Sequence, residues 1–180
     1  MLVTEQTERR DLTALKVKAP TILVIGIGNY YRMDDGAGLL VARKLREQLA
    51  QNKHKPRVRV LECTGGTLEL MDLWAEADHV VLIDAVSSGA DPGTIFHLDA
   101  HTHAIPSSLF HFSTHGFNLA DTIELARLLN KVPPRLMIFG IEGLDFGQGH
   151  GLSEDVAVAI EHTVQSLLAY IDCELETEQQ

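Results

Sequence analysis

The sequence predicts an α/β fold of three layers, a twisted and mostly parallel five-stranded sheet with helices on both faces. Continuous β-branched apolar runs such as Thr21 to Ile27 (TILVIGI) and His79 to Ala85 (HVVLIDA) read as strands buried on both sides. Stretches with apolar residues at helical spacing alternate with those runs, the first being Gly38, Val41, Leu45 and Leu49. Glycine or proline punctuates most changes from one pattern to the other, as expected when strand and helix alternate on a parallel sheet.

Residues 1–20 form a polar, charged leader, and the first strand follows at Thr21 to Ile27. Gly26, Gly28 and Asn29 break that strand, and a helix starts at about Asp35. After Pro56, Val58 to Leu61 predicts a short strand, and the Gly65-Gly66 turn leads into a short helix marked by Leu70, Leu73, Trp74 and Ala77. The run from His79 to Ala85 places Asp84 at a strand's carboxyl end. A loop from Ser87 to Pro92 then precedes a short strand at Thr94 to Leu98. Asp99 to Thr114 lacks periodicity and reads as a long loop, a class usually functional or mobile in compact domains. Leu119, Ile123, Ala126 and Leu129 predict a helix that begins near His115 or Gly116 and stops at Pro133-Pro134. Arg135 to Ile141 is the last strand, and Gly143 to Gly151, with four glycines, reads as a flexible loop. Ser153 is expected to cap a terminal helix whose apolar face holds Val156, Ile160, Val164, Leu167 and Ile171. This reading gives one domain over 21–172 and a solvated acidic tail over 173–180.

Composition narrows the function classes. A length of 180 residues suits one globular domain, and 45% hydrophobic with 22% charged residues is the usage of a packed core. The apolar runs fall well short of the ~20 residues that span a bilayer. The charged first twenty residues do not resemble a secretory signal, so a cytoplasmic location is expected. A formal net charge of -10 argues against a nucleic-acid partner. Cys63 and Cys173 stand in no C-x-x-C spacing, which argues against a disulfide framework or a cysteine zinc site. No G-x-S-x-G elbow is present, and Cys63 has no evident paired base.

In parallel sheets, ligands bind in the crevice beyond the strands' carboxyl ends. That rule brings the turn after strand one, Asp84, and the start of the helix near His115 to one cleft edge. The glycine-rich turn Gly26 to Gly38 invites a dinucleotide reading. Tyr31, however, stands where the third glycine of that fingerprint belongs, and two aspartates at the helix start would repel a diphosphate. Taken singly, Asp34 and Asp35 read as helix caps, Asp84 as a strand-end polar residue and His115 as a polar helix start. Taken together, two carboxylates and an imidazole form a mixed oxygen and nitrogen set suited to nickel, zinc or a similar divalent ion, with coordination positions left open. His97, His101, His103, His111 and His115 put five of nine histidines within a short stretch. For all but His115 a solvent loop that tolerates histidine is the simpler reading, with His111 as stand-in ligand.

The stretches GIGNYYRMDDGAG, ECTGGTLEL, HVVLIDAV and STHGFNLAD together resemble, in order and spacing, the nickel-iron hydrogenase maturation endopeptidases, over about Ile22 to Ile171. The resemblance implies a twisted-sheet α/β fold and a hydrolase that makes one cut in the hydrogenase large subunit. That cut releases a short carboxyl-terminal extension once nickel is installed. The same resemblance puts the metal-contacting and catalytic positions on Asp35, Asp84 and His115. It makes nickel, carried by the substrate, the implied metal, with zinc or cadmium able to take its place. The implied partner is the nickel-loaded precursor, met by a monomer that binds neither nucleic acid nor membrane. Many family members carry glutamate where Asp35 stands, so the shorter side chain draws an ion closer to the helix start. A non-catalytic nickel-dependent assembly factor or metallochaperone for the same subunit is the competing reading.

Overall fold

A computed structural model describes residues 22–51, 57–101, 103, 105–106 and 118–177. Among the described residues five strands and four helices follow one another: β1 (Ile22–Ile27), α1 (Ala37–Gln51), β2 (Val58–Cys63), α2 (Thr67–Trp74), β3 (His79–Val86), β4 (Ile95–Asp99), α3 (Leu119–Leu128), β5 (Arg135–Glu142) and α4 (Glu154–Thr177). A 3-10 turn, Met33–Gly36, precedes α1. The sheet order is β2-β1-β3-β5-β4, with four strands parallel and β4 antiparallel to β5 along one edge.

The central strands β1 and β3 are buried along their whole length, as their unbroken apolar runs require. Alternate residues feed two separate cores. On one face Leu23, Ile25, Val80 and Leu82 pack with Leu70, Trp74, Leu119 and Ile123 of α2 and α3. On the other, Ile22, Val24, Val81 and Ile83 pack with Val41 and Leu45 of α1 and with Ile160, Val164 and Leu167 of α4. The three expected layers are therefore present. No helix among the described residues is long and apolar enough to cross a membrane.

Two glycines set how closely α1 approaches the sheet. A Cβ at Gly38 would collide with the carbonyl oxygens of both Ile27 and Ile83, and one at Gly26 would collide with the Gly38 carbonyl. Backbone thus rests on backbone, which draws the turn before α1 against the ends of β1 and β3.

Two expectations need correction. The last helix does not give way to a tail at residue 173. It continues to Thr177, where Glu174 pairs with Arg135 at the start of β5. The glycine-rich loop after β5 is tied down rather than flexible. Arg32 Nη2 donates to the Phe146 carbonyl at 2.6 Å, and Arg32 and Gly149 form a parallel bridge.

Candidate functional site

The carboxyl ends of β1, β2, β3 and β5 lie at one pole of the sheet because those strands are parallel. Asp84 stands there near the end of β3, six per cent exposed, opposite Gly140 of β5. Strand alternation points its side chain to the face covered by α2 and α3, since Leu82 and Val86 belong to that core. Asp35, equally buried, sits in the 3-10 turn that Gly38 holds against Ile83. The turn is closed by backbone bonds from Asn29 N to the Asp35 carbonyl (3.1 Å) and from Asp35 N to the Arg32 carbonyl (3.0 Å).

The two acids feel one another. Burial first, and the charge of Asp35 second, push the Asp84 carboxyl well above its ordinary 3.8. Such a pair of sequestered carboxylates favours a shared proton or a bound cation, and oxygen donors of this kind suit a divalent ion. Cys63, at the adjoining end of β2, is buried, and burial chiefly raises its thiol to about 11. A thiol held protonated in this way is a poor nucleophile, in agreement with the absence of a paired base.

Of the expected triad, Asp35 and Asp84 come together at one edge. His115 and its stand-in His111 lie outside the described residues. Among the described residues, no group of three histidine, cysteine, aspartate or glutamate side chains could hold a metal ion. His97 faces Phe139 with ring centroids 4.3 Å apart, and His101 and His103 are exposed beyond β4, at the opposite pole from Asp84. The direction of α3 bears on where residue 115 belongs in the chain. Thr122, in its first turns, meets Thr67 at the start of α2 with hydroxyls 3.0 Å apart, at the cleft pole. Arg127, near its other end, donates to the carbonyls of Ala100 and His103 at the far pole. The helix therefore begins at the cleft, behind the Asn118 cap whose side chain accepts from Ala120 N at 2.9 Å.

Asp34 does not cap α1. Completely buried, its Oδ2 accepts from Leu144 N, Asp145 N and Ser153 Oγ, each at 2.9 Å, and its Oδ1 accepts from Ser153 N at 2.7 Å. The Ser153 hydroxyl is thereby spent on Asp34 instead of on the end of α4. Asp34 thus fastens the loop after β5 to the turn that carries Asp35.

Glu142, the last residue of β5, is a site residue that the sequence pattern does not single out. Two per cent exposed, it accepts from Ser88 N (2.8 Å), Ser88 Oγ (2.8 Å) and Gly89 N (2.9 Å), and so fixes the loop that follows Asp84. Its signal was available, because Glu142 closes an apolar strand run much as Asp84 does.

Fold and site together define a parallel-sheet α/β protein with an acidic centre beyond its strand ends, the position where such folds do their chemistry. The hydrogenase 2 maturation protease of Escherichia coli strain K12 is 29% identical over 152 residues, spanning 82% of this chain and 88% of its own. A hydrogenase expression/formation protein of Thiocapsa roseopersicina is 28% identical over 84% of this chain and 68% of its own. The structure of the hydrogenase maturating endopeptidase HybD from E. coli superposes with a TM-score of 0.66 at 27% identity, over 84% of this chain and 91% of its own. A family model described as hydrogenase maturation protease matches residues 40–170, and the chain belongs to that family. Asp84 and His115 fall inside the matched stretch, while Asp35 lies just before it.

Proposed function

We propose that this protein is the endopeptidase that removes the carboxyl-terminal extension of a nickel-iron hydrogenase large subunit, reading the substrate's nickel through Asp35, Asp84 and His115. The observation that carries the reading is the buried Asp35 and Asp84 pair at the strand ends, in a chain of the maturation protease family. The start of α3 at the same pole supports the histidine, which precedes Leu119 by four residues.

Nickel belongs to the substrate here. Held by the precursor, it offers open positions to the two carboxylates and the imidazole, and that contact aligns the scissile peptide in the cleft. A carboxylate oxygen left free by that contact would accept a proton from an attacking water and return it to the leaving amine.

The test is to incubate the purified protein with nickel-loaded and nickel-free precursor and follow the mass of the large subunit. Loss of a discrete carboxyl-terminal fragment from the nickel-loaded form alone is the expected result. A stable complex with no mass change would establish an assembly factor instead, and equal cleavage of both forms would overturn the nickel reading. His115→Ala is expected to raise KM for the nickel-loaded precursor while leaving kcat little changed.

A further inference from the structure

A cavity of about 470 Å³ opens beside the acidic turn, lined by Tyr30, Met33, Gly36, Leu40, Leu152 and Ala157 along with His150 and Gly151. Met33 and Gly36 belong to the 3-10 turn that carries Asp35, so the cavity adjoins that turn on the side of α1 and α4. Leu40 and Ala157 come from the first turns of α1 and α4, Tyr30 from the turn after β1, and His150 to Leu152 from the connection that leads into α4.

The lining is mostly apolar and its parts are held in place. Tyr30 donates to Glu62 at 2.6 Å and accepts from Arg43 at 2.8 Å, while the Arg43 guanidinium lies 4.9 Å above its ring. Met33 and Leu152 sit at the two ends of the connection that Asp34 makes to Ser153. Gly151 has a φ of +120°, and a Cβ there would meet nothing within 4 Å, so this wall stays open for want of a side chain. At the rim, Tyr31 is 69% exposed and rests edge-on against His150 at 5.0 Å. A preformed apolar hollow of this size, with an exposed aromatic at its mouth, is built to receive an apolar group.

We infer that this cavity is a specificity pocket for an apolar side chain of the precursor, from the extended polypeptide that flanks the scissile bond. The inference rests on the endopeptidase reading above, because it needs a polypeptide laid past Asp35. The precursor's nickel would fix where the cut falls, and the pocket would select the residue seated next to it. Precursors with the same nickel centre but a polar residue at that position would be poor substrates.

Ala157 is exposed and on the cavity wall, so Ala157→Phe fills the space from outside the core, whereas Val158→Phe adds the same ring at a neighbouring exposed position that does not line the cavity. Cleavage of nickel-loaded precursor is measured for both variants, with thermal melting as the check on folding. The expected result is a roughly 10- to 100-fold rise in KM for A157F, the range set by losing the burial of one apolar side chain. V158F is expected to match the wild type, and kcat to change little in A157F. A KM for A157F within twofold of wild type overturns the pocket. Should A157F misfold, the wild-type protein is given precursors in which each apolar residue flanking the cut is replaced in turn by aspartate. One position should then raise KM by tenfold or more, and the absence of any such position overturns the proposal. A wild-type protein that leaves the precursor uncut overturns the endopeptidase reading itself, and the pocket with it.

Discussion

Asp34→Asn exchanges one oxygen of a buried carboxylate for an amino group and leaves the outline of the side chain intact. The wild-type carboxylate receives four donors, three at Oδ2 and one at Oδ1. The best an asparagine can do is keep its oxygen at the crowded position and turn its amino group to Ser153 N, where two donors then face each other. One buried amide loses its partner, at about 1–3 kcal/mol, and the other three bonds lose their charge assistance. The sum is about 2–4 kcal/mol. Asp34→Ala forfeits all four bonds, but the Leu144 and Asp145 amides belong to exposed residues and can turn toward water. Its loss is about 3–5 kcal/mol, near the upper end for single substitutions. At roughly 2–4 °C per kcal/mol for a chain of this length, the asparagine variant should melt about 5–15 °C below wild type and the alanine variant lower still. The single tryptophan, Trp74, is buried in the α2 core and reports the transition by fluorescence. Hydrogen exchange at Leu144, Asp145 and Ser153 should accelerate in both variants. The reasoning is refuted if Asp34→Asn melts within a degree or two of wild type, or if alanine proves no worse than asparagine.

Glu142→Ala should release the Ser88–Gly89 loop, with a loss of about 1–3 kcal/mol and faster exchange of the Gly89 amide; unchanged exchange there would show that other contacts hold the loop. Asp84 contributes a pH dependence opposite in sign to that of an ion-paired acid. Because its carboxyl is raised in the folded state, its contribution to stability is fully present below the unfolded value near 3.8. That contribution is lost as the pH rises through the folded value. Melting curves of Asp84→Asn, taken without added metal, should lack that decline, and identical pH slopes for the two proteins would refute the assignment.

Much of the scaffold could be read in advance because its central strands are buried on both faces and so carry unbroken β-branched runs. β1, β3 and β5 were placed within a residue or so for that reason. The pairing of Asp35 with Asp84 was legible from a general rule about parallel sheets, with no contact information. What one-dimensional pattern could not separate was Asp34 from Asp35. Both precede the same helix, and either could serve as a cap, yet one anchors a loop more than a hundred residues away while its neighbour joins Asp84. The loop over Gly143 to Gly151 looked mobile because glycine content reports backbone freedom and is silent on a distant carboxylate that removes it. Ser153 has a cap's composition in a cap's place, and only the folded chain shows its hydroxyl committed elsewhere. The α4 end was misjudged because acidic residues read as solvated, although Glu174 there meets Arg135.

The reversal of β4 shapes how the cleft is supplied. Asp99 pairs with Met137 near the start of β5, so the chain leaves β4 at the pole away from Asp84 and must travel back before α3 begins. The connection between β4 and α3 is therefore long by topology, unlike the tight turn that delivers Asp35. Lengthening such a connection is thermodynamically mild, each doubling adding only about 0.6 kcal/mol of closure entropy. Chain length between β4 and α3 can therefore vary without touching a strand, whereas the Gly26 and Gly38 contact gives the turn before α1 no such latitude.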